Sequence, residues 1–237
     1  MSVHLVGGGA LSPADAPLYA PFFAEAAARG RAAGRALPRI AVISLHPESA
    51  SRAPELVEVL STAGSFDAVV TAAVGGDVVE RSAVADVDGI AVGGGVVEEV
   101  RAGREPVLGE LRRQVASGVP YLGISAGAMI AAEGSLGGGS RIDDVTVAPE
   151  DPEDPAELVV EGGIGLVDVA VDAHVAQRGT LSRLVAAVES GLIESALGID
   201  ERTALIVGEG GLRVVGSGSV WRVLSTDGGV LVSTLGA

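Results

Sequence analysis

The chain has 237 residues, a formal net charge of −15, no cysteine, 35 glycines and only 3% aromatic residues. Zero cysteines exclude disulfides, thiolate zinc sites and cysteine nucleophiles. The acidic surplus argues against nucleic acid and anionic membranes as partners, because both need a basic face.

A chain of this length suits one domain, residues 1–237, with a core built from Ala, Val, Leu and Ile. "VHLVGGG" reads as a first strand and its turn, and residues 13–35 as an Ala-rich helix. "RIAVISL" (39–45) is a second strand, "APELVEVLSTAG" a helix closed by Gly64, and "DAVVTAAV" (67–74) a third strand. "DGIAVGGG" (88–95) is a fourth strand, followed by a helix near 105–117 that Gly118 can end. "VPYLGI" is a fifth strand and "AGAMIAAE" the next helix. The acidic, proline-bearing stretch 143–161 reads as a surface loop, 166–174 as a strand and 178–190 as a helix. After residue 200, "TALIVG", "LRVVGSGSVWRVL" and "GVLVS" read as strands in C-terminal hairpins. Alternation of strands and helices predicts an α/β fold: a mostly parallel, doubly wound sheet in three layers. In such folds ligands bind beyond the carboxyl ends of the strands. No apolar run reaches about 18 uncharged residues, so no membrane span is expected. "MSVHLVGGGA" lacks the basic and apolar regions of a signal peptide, so a cytoplasmic location is expected.

Gly123-Ile124-Ser125-Ala126-Gly127 fits G-x-S-x-G, with a strand before it and a helix after it. A serine at so sharp a turn has strained dihedrals, and side chains two residues away on either side would collide. The turn lifts the Oγ of Ser125 above the sheet, which makes it a candidate nucleophile. The Ala126 N–H, at the start of the following helix, is a candidate oxyanion donor. A second donor is expected from Gly93, Gly94 or Gly95, at the end of the fourth strand. "GGGA" at 7–10 is similar in kind; it can also be read as a dinucleotide turn, although the full G-x-G-x-x-G fails because Ser12 stands where the last glycine should be.

A serine hydroxyl needs a base. His4 lies inside the first strand and reads as structural. His46 ends the second strand, on the correct edge of the sheet. His174 ends the strand 166–174 and precedes a helix, and it is the preferred base. The orienting acid is open among Asp172, Asp143, Asp144 and Glu201 on spacing alone.

"GISAGA", "DAHVAQRGTLSRL" and "LGIDERTAL", in this order, resemble the cyanophycinase and dipeptidase E group of serine peptidases. The resemblance implies a fold similar to the class I glutamine amidotransferases, of flavodoxin-like type, and cleavage of peptide or isopeptide bonds at aspartyl residues. It implies Ser125 as nucleophile, His174 as base, and Gly95 and Ala126 as oxyanion donors. Glu201 matches the acid of cyanophycinases, while the acid of dipeptidase E, placed nearer the nucleophile, keeps Asp143 open. Arg178 and Arg183 match substrate-binding arginines. No metal or cofactor is implied; the expected partner is a small peptide substrate, and a homodimer is suggested. Three positions depart from the cyanophycinase pattern. Val97 stands for a glutamine, Ala173 for the middle residue of D-Q-H, and Thr180 for the second of three arginines. Two further readings stand beside the peptidase. One is an α/β-hydrolase-type esterase using Asp143 or Asp144 before His174; the other is a non-catalytic relative with an altered pocket.

Overall fold

Apolar β-branched residues alternate sides along each short strand, so every strand offers a greasy surface to both faces of a sheet. In the computed structural model, which describes residues 2–10, 12–103, 107–151 and 157–236, these strands form a large mixed sheet flanked by helices. Its parallel strands are β1 (Val3–Val6), β2 (Arg39–Leu45), β3 (Asp67–Ala73), β4 (Gly89–Val92) and β5 (Tyr121–Ile124). A second sheet contains β10 (Ala170–Ala173), β11 (Ser195–Ile199), β14 (Ser219–Thr226) and β15 (Gly229–Gly236). The large sheet is completed by β12 (Thr203–Gly208) and β13 (Gly211–Gly216) in the order β13-β12-β1-β5-β4-β2-β3. β12 runs antiparallel to β1, and β13 antiparallel to β12. Short ladders β6 (Gly134–Leu136) with β9 (Val160–Gly162), and β7 (Arg141–Ile142) with β8 (Val145–Thr146), lie between β5 and β10 in the chain.

Two apolar clusters form on either side of the large sheet. Ile40, Val42, Ala91 and Leu122 pack with Leu18, Tyr19 and Phe22 of α1 (Ala16–Ala32) and Leu56 and Leu60 of α2 (Ser49–Ser61). Ala41, Ile43, Ile90 and Val92 pack with Val97 and Val100 of α3 (Val97–Ala102) and Leu111 of α4 (Leu108–Ala116). The same cluster takes in Ala126 and Ala128 of α5 (Ala126–Met129), α7 (Leu181–Glu189) and the second sheet.

Several expectations are corrected. The strand before His174 is not part of the large sheet; it pairs parallel to β11, a strand in "SALGI" that the sequence reading passed over. The helix expected over 126–133 stops after one turn. The carbonyls of Ile130 and Ala132 accept instead from Ile164 and Gly165, at 2.7 and 3.1 Å, which ties this segment to the chain entering β10. The helix expected over 178–190 is two, α6 (Val175–Arg178) and α7, divided at Gly179 with φ 68°. Helix α3 was not expected. The stretch read as a loop, 143–161, contributes β8 and β9; residues 152–156 within it, and the first residues of the helix near 105–117, lie outside the described residues. Among the described residues no helix is long and apolar enough to cross a membrane.

His4 is fully buried in β1, edge-on to Phe22 with ring centroids 5.8 Å apart. Burial pushes its imidazole down to about 4, against the opposing pull of Glu25. The unfolded ring takes up a proton near its ordinary value of 6.5, and the folded one only near 4. This residue therefore favours folding fully above 6.5, and the contribution is lost as pH falls from 6.5 toward 4. The effect is on the order of 3 kcal/mol. Urea unfolding at pH 7 and pH 5 should show the wild-type protein losing more stability over that interval than His4→Leu; equal losses would remove His4 from the account.

Candidate active site

The carboxyl ends of β1, β5, β4 and β2 open into one cavity of about 620 Å³. Ser125 stands at its centre, directly after β5, with φ 54° and ψ −118°. A non-glycine residue pays about 1–3 kcal/mol for such a conformation, which persists only where surrounding structure enforces it. Here the Ser125 N–H donates to Val6 O at 2.9 Å, and its carbonyl accepts from Ala128 and Met129, at 2.8 and 3.1 Å. The flanking glycines are required by close approach. A Cβ on Gly123 would stand 2.3 Å from Gly127 O, and one on Gly127 2.3 Å from Val92 O.

His174 follows β10 with φ 56°, and its N–H donates to Gly7 O at 3.0 Å. The turn swings the imidazole out of the second sheet toward the first. Its Nε2 lies 2.7 Å from Ser125 Oγ and its Nδ1 2.7 Å from Glu201 Oε1. Both ring nitrogens are thus occupied. Asp143 and Asp144, exposed at the β7–β8 turn, make neither contact. Glu201 lies in the turn from β11 to β12, and its N–H donates to Gln177 Oε1 at 2.9 Å. The structure therefore brings Ser125, His174 and Glu201 into one hydrogen-bonded row.

Three residues of this site were not singled out from the sequence. Gly8, with φ +88°, lies against the imidazole; a Cβ there would stand 2.4 Å from His174 Cε1. Only glycine permits that contact, and the run "GGGA" was its visible signal. Gln177 gave none. Asp200, 5% exposed, accepts from the Ala176 and Ser219 N–H groups and from Trp221 Nε1, at 3.1, 3.0 and 2.9 Å. An acid at the end of the apolar run "SALGI" was the signal for that junction.

The other expected site residues are placed as follows. Gly95 and its neighbours Gly93 and Gly94 line the cavity, and a Cβ on Gly94 would lie 3.1 Å from Ser125 Cβ. Among the described residues, the N–H groups of Gly94, Gly95 and Ala126 donate no hydrogen bond. Arg178, 45% exposed, lines the cavity and pairs with Asp151 at 3.2 Å. Arg183 departs from the expected role. Its Nε and Nη2 grip Asp172 at 3.1 and 2.8 Å, and Nη1 donates to Gly139 O at 3.0 Å. It lines the cavity, but its planar fork is already filled by a carboxylate of its own chain, with both side chains buried. Asp172 is consequently no orienting acid for His174.

A profile of peptidase family S51 matches residues 63–215. The chain belongs to peptidase family S51. Cyanophycinase of Synechococcus elongatus is 38% identical over 121 residues, 48% of this chain and 34% of that protein. Cyanophycinase of a Nostoc species is 33% identical over 127 residues, 52% of this chain and 39% of that one. The matched stretch thus spans little more than a third of these relatives. A crystal structure of a peptidase from an acI-B1 actinobacterium superposes with a TM-score of 0.65 at 18% identity, covering 100% of this chain and 95% of that one. A putative peptidase E protein from Listeria monocytogenes EGD-e gives 0.60 at 14% identity, covering 92% and 98%. Both share the fold of this S51 chain.

Burial pushes the His174 imidazole below its ordinary value of 6.5; Arg178 pushes the same way, while the hydrogen bond that Nδ1 donates to Glu201 opposes both. A lowered value keeps the ring neutral, and so able to accept a proton, below pH 6.5. Labelling of Ser125 by a fluorophosphonate should fall with decreasing pH about a midpoint below 6.5. Arg178→Gln should move that fall upward. A fall centred above 6.5 in the wild-type protein would contradict the assigned environment.

Proposed function

We propose that this S51 chain is a serine peptidase that hydrolyses a peptide or isopeptide bond at an aspartyl residue. The observation that carries this reading is the row Ser125 Oγ–His174 Nε2–His174 Nδ1–Glu201 Oε1, with 2.7 Å at each contact, opening onto a cavity. Glu201 accepts from Nδ1–H, which leaves Nε2 with its lone pair toward the serine. As Ser125 Oγ attacks the substrate carbonyl, its proton passes to Nε2. The carbonyl oxygen gains the negative charge, and the unengaged N–H groups of Gly95 and Ala126 are the donors assigned to it. One such donor typically contributes about 3 kcal/mol of transition-state stabilisation. The proton on Nε2 then moves to the leaving amine as its bond to the carbonyl carbon breaks. Water, deprotonated by the same nitrogen, attacks the acyl-serine, releases the acid product and restores the hydroxyl.

The three departures from the cyanophycinase pattern fall in or beside the cavity and leave the row intact. Val97 and Ala173 line it, and Thr180 is buried beside α7 with its Oγ1 unpartnered among the described residues. These substitutions alter what is bound and not the proton path, which favours a changed substrate over lost catalysis. An esterase of α/β-hydrolase type draws no support from the arrangement, since its acid would precede the histidine in the chain and Glu201 follows it. The layering inferred for the whole is that of class I glutamine amidotransferases, with serine in place of their cysteine.

The test is hydrolysis of α- and β-aspartyl dipeptides, β-Asp–Arg among them. Ser125→Ala should keep the thermal stability of the wild type and lose roughly 10⁴-fold or more in kcat. Glu201→Gln should lose about 10²–10⁴-fold, since it removes the charge that supports the imidazolium. Turnover by Ser125→Ala at the wild-type rate would defeat the proposal.

A further inference from the structure

Among the described residues three arginines line the cavity, and the fold commits them to different degrees. Arg183 is locked on Asp172 and Gly139. Arg178 pairs with Asp151 across its rim. Arg52, in the first turn of α2, has a single ion pair, Nε to Glu48 at 3.6 Å, between side chains 50% and 68% exposed. An exposed pair between residues four apart on a helix holds its partners loosely and exchanges readily for a better-placed carboxylate.

His46 lines the same cavity at the carboxyl end of β2. Its Nδ1 accepts the Glu48 N–H at 2.9 Å. A backbone N–H can only donate, so Nδ1 carries no proton and the neutral ring carries it on Nε2. Among the described residues that Nε2–H has no acceptor. The ring is therefore a donor of fixed tautomer lining the same cavity as a loosely held guanidinium. Neither residue has a part in the proton path through His174.

Strand order sets how far this pair stands from the chemistry. β2 is two places from β5 in the order β5-β4-β2, on the side away from β1, whose following turn accepts the His174 N–H. Adjacent strands lie about 4.8 Å apart, which puts the end of β2 about 10 Å from Ser125. An extended peptide advances about 3.3 Å per residue. A carboxylate at that distance is two to three residues from the bond under attack, or one residue and an acidic side chain away.

We infer that His46 and Arg52 form a carboxylate subsite, at the opposite end of the cavity from Arg178, which selects short peptides carrying a negative charge about 10 Å from the reacting carbonyl. This rests on the peptidase reading for its role in turnover, but binding itself does not depend on Ser125 acting as the nucleophile. The two are therefore separable. Calorimetry on Ser125→Ala, with aspartyl di- and tripeptides differing only in a C-terminal acid against its amide, or Glu against Gln, reads the subsite directly. One such pair should differ by about tenfold or more in Kd. That difference should collapse when Arg52→Gln is added, shrink with His46→Ala, and survive in part with Arg52→Lys. Equal Kd values within every pair, no binding of any member, or discrimination unchanged by Arg52→Gln and His46→Ala would overturn the subsite. Hydrolysis of the same panel by the otherwise wild-type protein reports separately on the peptidase reading, where Arg52→Gln should raise KM for the acidic member far more than it lowers kcat.

Discussion

The site depends on one of the crossings that the chain makes between its two sheets, the turn from β11 to β12. β10 and β11 belong to the smaller sheet, β5 and β12 to the larger, and the residues between β11 and β12 span the gap. Asp200 fixes that crossing by accepting from α6, from the strand start at Ser219 and from Trp221. A buried carboxylate that accepts from this many donors holds its partners in fixed relation. Glu201, the next residue, then has little freedom, and neither does the imidazole it faces. Ser125 comes from the other sheet, and the loop after β1 joins the halves: Gly7 bonds both Thr203 and His174, and Gly8 O accepts from Arg202.

Strain is concentrated where these elements meet. Ser125, His174 and Arg202 all have positive φ, at 54°, 56° and 53°. Non-glycine residues take that conformation rarely, and three of them within one junction mark a place where geometry is enforced by its surroundings. Each turns the chain sharply at a strand end. The consequence is a row of side chains held by backbone on all sides, with its open face toward the cavity.

Much of this was legible in the sequence. The strands β2 and β5, the glycines around Ser125 and the placement of His174 at a strand end follow from apolar runs and from the sterics of a tight turn. Glu201 was reachable only through resemblance, because nothing in spacing says that a residue 27 positions after His174 folds back onto its ring. The second sheet was not legible. Strand β10 looks the same to a local reading whether its partner is β5 or β11, since both offer an apolar parallel neighbour. The pairing of Arg183 was hidden for a related reason: a basic residue on a helix after a histidine looks free until the buried Asp172 is seen to fill its fork. The short helix after Ser125 was overestimated because its carbonyls are claimed by a segment more than thirty residues onward.

The described arginines of the cavity differ in how they are held: Arg183 by the buried Asp172, Arg178 by Asp151, and Arg52 loosely by the exposed Glu48. The most direct measurement of the central claim is a crystal structure of the protein after reaction with a phosphonate probe. The account predicts phosphorus bonded to Ser125 Oγ, His174 Nε2 within hydrogen-bond distance of it, Nδ1 still on Glu201, and a phosphonyl oxygen facing the Gly95 and Ala126 N–H groups. Phosphorus on any other side chain, or an imidazole turned away from both Ser125 and Glu201, would contradict it.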